Sequence, residues 1–167
     1  MSKAARQRES GLSSAARLAA VQALYQIELG AGASEDALAM VLASGATLDE
    51  SGLFAEADPE IASIIVRGVS QPEMIGRLDT MIDGALVTGW TVARLEILMR
   101  AILRAGVFEL LERPEVPLKV VINEYVEVAH AFYDRGEPGM VNAVLDKLGR
   151  ILRPAAEATA PAAPEGG

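Results

Sequence analysis

The sequence predicts an all-α protein, a compact bundle of about seven helices. Of the 167 residues, 51% are apolar but only 4% are aromatic, so Ala, Leu, Val and Ile form the core, which favours packed helices over a β-sandwich. Apolar residues recur at spacings of three and four, as the buried face of a helix requires. Prolines, glycines and capping residues divide this pattern into segments, and none of the segments alternates convincingly as a strand.

Three helices are predicted in the first half of the chain, over residues 13–29, 34–45 and 59–69. Ser13 and Ser14 are possible N-caps of the first helix, and Gly30 suits its C-terminal stop. Ser34, followed by two acidic residues, opens the second helix. An acidic, irregular segment comes next. The pair Asp58-Pro59 then supplies an N-cap and a proline at the first position of the third helix.

Four more helices are predicted over residues 73–86, 91–111, 118–133 and 140–152. Gln71-Pro72 interrupts the chain before the first of them. The segment 91–111 has the longest apolar periodicity, which indicates a core helix. Pro114 and Pro117 end that helix, and a glycine-containing loop separates the last two.

Charge is distributed unevenly along the chain. Fifteen Lys and Arg oppose 23 Asp and Glu, a formal net charge of −8, and this acidic balance by itself argues against a nucleic-acid partner. Residues 1–17 nevertheless carry four cations and one anion, whereas residues 18–66 contain no Lys or Arg. We therefore expect a flexible basic arm over residues 1–12, a helical domain over 13–153 and a disordered Pro/Ala-rich tail over 154–167.

Several classes of function are excluded by residue types that the chain lacks. It has no Cys and a single His, His130, which excludes disulfides, thiolate metal sites and two-His metal motifs. Asp79 and Asp83 are spaced as a pair, but no nucleophile or glycine loop accompanies them, so a solvated helix face is expected and no catalytic, metal or cofactor site is predicted. No signal peptide or membrane span is apparent, and we expect a cytoplasmic protein.

Three segments resemble one family, the transcription antitermination factor NusB. The first is A-R-L-A-A-V-Q-A-L-Y-Q at 16–26. The second joins A-I-L-R at 101–104 and F-E-L at 108–110 to V-P at 116–117 and V-I-N-E at 121–124. The third is M-V-N-A-V-L-D-K at 140–147, similar to F-V-N-G-V-L-D-K in the family. Order and spacing also match, and the resemblance covers about residues 13–153.

The resemblance implies an all-helical fold of two packed halves, each of three or four helices. It also implies a non-enzymatic function as an adaptor in transcription antitermination. The expected partners are boxA-like single-stranded RNA, the small-subunit ribosomal protein that acts as NusE, and the RNA polymerase antitermination complex, with promotion of ribosomal RNA transcription as the outcome.

Binding of single-stranded RNA needs cations for phosphates and planar or apolar faces for unstacked bases. Arg17 and Tyr25 are eight residues apart, so both can share one face of the first helix. Serines 13 and 14 stand where the family has an arginine cluster, which leaves the cations further upstream. The candidate RNA-binding residues are Lys3, Arg6, Arg8, Arg17, Gln22, Tyr25, Met140 (where the family has Phe), Lys147 and Arg150.

Each candidate also has a structural alternative. The arm can be a solvated terminus, Tyr25 a half-buried packing residue, Gln22 a packing amide, and Lys147 a solvated helix residue. Arg104 is expected in a structural ion pair, with Glu124 as its candidate partner. Two further charged residues are expected to face a protein partner, Glu96 and Arg100.

A second function from a different class stays open. An Ala-rich bundle with few aromatic residues can present a flat apolar face, and the chain would then be a self-associating or protein-binding module without specific RNA binding. The sequence is compatible with a monomer or a homodimer.

Overall fold

The computed structural model describes residues 1–30, 32–44 and 56–154. Within these ranges the chain forms seven α-helices and one 3-10 turn and contains no strand, which confirms the predicted all-α class. The helices are α1 (Lys3–Glu28), α2 (Ser34–Ser44), α3 (Pro59–Val69), α4 (Pro72–Ala85), α5 (Ile97–Glu112), α6 (Leu118–Phe132) and α7 (Glu137–Leu152). The tail expected over 154–167 lies outside the described residues, apart from Pro154.

Helix α3 begins where the sequence predicts, because its N-terminal signal is local. Asp58 Oδ1 accepts hydrogen bonds from the backbone N–H groups of Glu60 at 2.9 Å and Ile61 at 3.4 Å. Pro59 follows the cap in the first turn, where its missing N–H costs no helical hydrogen bond. The break around Pro114 and Pro117 is also confirmed, since α5 ends at Glu112 and α6 begins at Leu118.

The start of α1 differs from the expectation. The flexible arm predicted over residues 1–12 is wrong, because α1 begins at Lys3 and is capped by Ser2, whose Oγ accepts from the N–H of Ala5 at 3.1 Å. Ser13 and Ser14 are not caps. Ser13 Oγ donates to the carbonyl of Glu9 at 3.0 Å, a bond that keeps a serine compatible with the helix interior.

The segment predicted as one helix over 91–111 is two elements. Val92–Arg94 forms a 3-10 turn, and α5 begins only at Ile97. Asp83 accepts a 2.7 Å hydrogen bond from the N–H of Val92, which fixes this turn against the end of α4. Val92 and Leu95 are buried all the same, so apolar spacing persists through backbone that is not α-helical.

The helices pack as two groups. Helix α1 contacts α2 and α3 in the first group, while α4, α5, α6 and α7 form the second, and α1 and α3 join the groups through α5. Helix α3 approaches α5 closely because Gly68 has no side chain: a Cβ there would lie 2.2 Å from Cζ of Phe108. None of the helices in the described ranges combines the length and the apolar character that a bilayer crossing demands.

Candidate nucleic-acid interface

The beginning of α1 presents three cations to solvent. Lys3, Arg6 and Arg8 are all exposed, and because they belong to a continuous helix their backbone positions are set relative to the bundle. Arg6 also lines a groove between α1, the end of α5 and the start of α6, to which Arg113 contributes. The groove also carries Glu9, Glu115 and Glu124, so its charge is mixed.

Arg17 does not belong to this exposed set. Its side chain is 4% exposed, and its Nε and Nη2 donate to the two carboxylate oxygens of Glu109 at 2.7 and 3.0 Å. Burial acts to lower the pKa of Arg17, but the hydrogen bond and charge of Glu109 outweigh it, so the pKa is raised. Its charge is therefore neutralised inside the protein, and a contact of Arg17 with RNA phosphates stays a prediction.

Glu109 is the centre of a buried polar network. Besides Arg17, it accepts hydrogen bonds from the Tyr125 hydroxyl at 2.6 Å and from Arg113 Nη1 at 2.8 Å. Burial, followed by the charge of Glu109, raises the pKa of Tyr125 well above its ordinary value. Glu124 adds a second link, since its Oε1 accepts from Ser14 at 2.9 Å. The network therefore holds α1 against α5 and α6.

Arg153 closes the same end of the bundle. Its guanidinium donates to the backbone carbonyls of Leu110 at 3.1 Å, Glu109 at 3.0 Å and Arg113 at 2.9 Å, and to that of Val116. These bonds join the end of α7 to the last turn of α5 and to the loop that follows it, where the carbonyls of Glu109 and Arg113 also accept from the N–H groups of Arg113 at 3.1 Å and Val116 at 3.0 Å. We call this region, formed by Arg6, Arg17, Arg113 and Arg153, the arginine end.

The opposite end of α1 carries the aromatic candidate. Tyr25 is half-buried and lies near Tyr133. Burial, followed by a hydrogen bond to Glu96, raises the pKa of Tyr133, and Tyr25 adds a smaller effect in the same direction. The Tyr133 hydroxyl donates to Glu96, and the charge of Glu137 at the start of α7 also acts on it. We call this region the tyrosine end, and it joins the C-termini of α1 and α6 to the N-termini of α5 and α7.

The two residues expected to face a protein partner lie at the tyrosine end and make contacts within the chain. Glu96 is exposed and accepts from Tyr133. Arg100 donates to Glu28 and, at 2.9 Å, to the carbonyl of Leu95. Their role towards a partner stays a prediction.

Arg104 forms an internal ion pair as expected, but with different carboxylates. Its Nε and Nη2 donate to Asp79 at 2.7 and 2.8 Å, and its Nη1 donates to Glu28 at 3.3 Å. Glu124 is therefore not its partner, and Asp79 is not on a merely solvated face. Asp83 is likewise engaged, through the Val92 N–H.

Of the three candidates on α7, two are exposed and one is half-buried. Met140 is half-buried against the core, and Lys147 is exposed, with its Nζ 3.2 Å from the carbonyl of Gly84. Arg150 pairs with Asp146 at 3.0 Å. Met140 and Lys147 are seven residues apart, so they share one helix face. Gln22 on α1 is half-buried.

The structure thus separates the candidates into two regions. Lys3, Arg6 and Arg8 are near the arginine end, whereas Tyr25 and Met140 are near the tyrosine end; Arg6 and Tyr25 are about 28 Å apart along α1, at 1.5 Å per residue. Among the described residues, no three His, Asp or Glu side chains are arranged to hold a metal ion.

Glu109 and Tyr125, which organise the arginine end, were not candidates from the sequence. The only available signal was an acidic residue in the most apolar helix, since a buried charge requires a partner. The partner itself could not be identified, because Arg17 lies 92 residues away along the chain.

Comparison with known proteins agrees with this architecture. The NusB family model matches residues 14–150. A transcription antitermination protein NusB from Rhodospirillum rubrum is 44% identical over 161 residues, covering 86% of each chain. One from Rhizobium rhizogenes is 46% identical over 141 residues, covering 83% of this chain and 86% of its own.

Solved structures agree as well. NusB of T. maritima superposes with a TM-score of 0.66 at 28% identity, covering 82% of this chain and 89% of its own. A structure described as a plectonemic RNA supercoil contains a chain that superposes with a TM-score of 0.67 at 22% identity, over 88% of this chain and 97% of its own; at that identity it shows the fold alone. The family model and the identity to these relatives establish that the chain belongs to the NusB family.

Proposed function

We propose that this chain is a transcription antitermination adaptor that binds boxA-type single-stranded RNA together with the small-subunit ribosomal protein acting as NusE, and so promotes ribosomal RNA transcription. The observation that carries the proposal is the exposed set Lys3, Arg6 and Arg8 on a helix that the buried Arg17–Glu109 pair holds in place. The names of the relatives support it. The proposed role is non-enzymatic, and its place is the cytoplasm, where nascent RNA is made.

The exposed cations and the aromatic end have different roles in this proposal. Lys3, Arg6 and Arg8 contact phosphates, which gives affinity without sequence preference. Tyr25 and Met140 contact bases, and a methionine packs on a base without the stacking that an aromatic ring provides. Further polar contacts with the RNA come from Gln22, Lys147 and Arg150. Arg17 contributes by holding α1 in position.

The acidic balance of the chain makes a second partner necessary. With a net charge of −8, the protein repels RNA over most of its surface, so binding to RNA alone is weak. A basic ribosomal protein is attracted to an acidic surface. Glu96 and Arg100 at the tyrosine end are the proposed contacts with it. Joining both partners raises the effective RNA affinity through linked binding.

Fluorescence anisotropy with a labelled boxA-like strand and a scrambled strand tests the proposal, each with and without the ribosomal protein. We expect weak binding of the boxA-like strand alone, tighter binding with the ribosomal protein, and a preference over the scrambled strand. Arg6→Gln combined with Arg8→Gln should weaken binding of both strands.

Arg67→Gln is the matched control, because it also removes an exposed arginine charge, one that pairs with Glu35 at 2.9 Å and is not among the proposed RNA contacts. It should leave RNA affinity unchanged. Equal and weak binding of both strands, with or without the ribosomal protein, would contradict the proposal. The remaining alternative would then be a self-associating module without specific RNA binding. Sedimentation of the chain alone, which measures its oligomeric state, tests that alternative.

A further inference from the structure

A tryptophan stands exposed on the loop between α4 and α5. Trp90 is the only tryptophan in the chain and is 43% exposed, and Val87, three residues earlier, is 69% exposed. A single exposed apolar side chain is common on protein surfaces, so it indicates a contact with another molecule only together with suitable neighbouring groups.

The loop that carries Trp90 is fixed in place. The N–H of Trp90 donates to the carbonyl of Val87 at 3.1 Å, and Gly89 has a φ of 94°, a conformation that glycine adopts without strain. Asp83 holds the next turn through the N–H of Val92 at 2.7 Å. A ligand that contacts Trp90 therefore pays little for ordering the loop.

An arginine is stacked against the tryptophan ring. The guanidinium carbon of Arg94 lies 5.3 Å from the ring centroid, a cation–π contact. Arg94 also donates to the carbonyl of Gly89, which fixes the guanidinium over the ring. Among the described residues, no Asp or Glu forms an ion pair with Arg94. Its positive charge thus remains available at the edge of an exposed aromatic surface.

The loop combines an aromatic ring with a cation, the two kinds of group that bind single-stranded RNA. Residues 84–95 contain one cation, Arg94, and no acidic residue, and the flanking carboxylates are both engaged, Asp83 with the N–H of Val92 and Glu96 with the Tyr133 hydroxyl. Lys147 of α7 contacts the start of the same segment through the carbonyl of Gly84 at 3.2 Å. Because Lys147 shares a face of α7 with Met140, the loop extends the proposed RNA surface of that helix.

We propose that Trp90 and Arg94 form a stacking site for an unpaired base of single-stranded RNA, with the Trp90 ring against the base and the Arg94 guanidinium against its phosphate. This inference rests on the proposed function and adds a contact region to it. Aromatic stacking on a base tolerates any sequence, so the site contributes affinity rather than recognition of boxA.

The intrinsic fluorescence of the unmodified chain tests the inference, since Trp90 is its only tryptophan. The probe is an unlabelled boxA-like strand, followed by a uridine-only strand of equal length. We expect both strands to quench the emission and to protect it from iodide. The quenching midpoint should match the dissociation constant measured by anisotropy.

Substitutions supply the second measurement. Trp90→Ala should weaken RNA binding by about 5- to 160-fold, the range for one lost stacked base, and Trp90→Phe should restore part of the affinity. Val87→Ala is the control: it removes exposed apolar surface but no ring and should leave the affinity unchanged. Circular dichroism verifies that each variant is folded.

Three outcomes separate the inference from the proposed function. If RNA binds by anisotropy while Trp90 emission and the Trp90→Ala affinity stay unchanged, the stacking site is wrong and the proposed function stands. If Trp90 responds to the ribosomal protein in the absence of RNA and shows no further change when RNA is added, the loop is a protein interface and the inference is overturned. If neither strand binds at all, with or without the ribosomal protein, the proposed function fails and the stacking site fails with it.

Discussion

The guanidinium of Arg17 and the carboxylate of Glu109 form a two-point ion pair inside the bundle, with Nε–Oε2 and Nη2–Oε1 distances of 2.7 and 3.0 Å. Their side chains are 4% and 0% exposed. The pair joins the middle of α1 to the last turns of α5. The position of the exposed cations near the start of α1 thus depends on a contact that lies about three turns further along the helix.

Removing one member of this pair should destabilise the fold. Arg17→Met leaves the Glu109 carboxylate buried with fewer compensating contacts, and we expect the free energy of unfolding to fall by about 3 kcal/mol. Urea denaturation at neutral pH measures it. Arg67→Gln breaks an exposed pair instead and should cost less than about 1 kcal/mol. Equal effects of the two substitutions would show that Glu109 does not need Arg17.

Tyr125 should make the protein sensitive to alkaline pH. Burial and then the charge of Glu109 raise its pKa in the folded state, so the folded protein holds this proton more tightly than the unfolded chain. The contribution to stability is complete below the unfolded pKa of about 10 and is lost as the pH rises towards the folded value. The free energy of unfolding should therefore decline above about pH 10.

Tyr125→Phe isolates this effect. It should cost about 1–3 kcal/mol at neutral pH, because Glu109 loses a buried donor. It should also flatten the alkaline decline, since the titrating hydroxyl is gone. Urea denaturation of both proteins across the alkaline range provides the comparison. An alkaline decline as steep in the variant as in the parent would assign the decline to another group.

Gly68 should be intolerant of a side chain. A Cβ there would lie 2.2 and 2.3 Å from Cζ and Cε2 of Phe108, and the buried ring has little room to move. Gly68→Ala is expected to cost about 1–3 kcal/mol by overpacking. Gly76→Ala is the control, with nothing within 4 Å of its Cβ, and should stabilise by about 0.5–1 kcal/mol through helix propensity. Thermal unfolding of the two variants should shift in opposite directions.

Local signals in the sequence were sufficient to predict most helix boundaries. Asp58 and Pro59 start α3, and Pro117 precedes α6, because caps and prolines act on their own backbone. The start of α1 was missed because Ser13 and Ser14 resemble caps, while their actual hydrogen bonds are to Glu9 and Glu124. The bond of Ser13 to Glu9 forms within α1, and the bond of Ser14 to Glu124 depends on the packing of α1 against α6.

The sequence was sufficient to name candidate site residues, but not to predict how they are arranged on the surface. Helical spacing allows Arg17 and Tyr25 to share one face of α1, yet which face is buried depends on Glu109, 92 residues away from Arg17. Trp90 was passed over for a related reason. Its exposure results from a turn that interrupts the apolar periodicity before α5, and periodicity alone gives no sign of that turn.

The salt dependence of RNA binding should distinguish the exposed cations from Arg17. Each phosphate contact on a single strand contributes about 0.7 to the slope of log affinity against log salt. Arg6→Gln with Arg8→Gln should therefore lower the slope by about 1.4. Arg17→Gln should reduce stability but leave the slope unchanged, because the side chain is neutralised by Glu109 and not by phosphate. Anisotropy titrations at four salt concentrations, below the unfolding temperature of each variant, measure the slopes. A fall of about 0.7 for Arg17→Gln would mean that Arg17 leaves Glu109 to contact RNA.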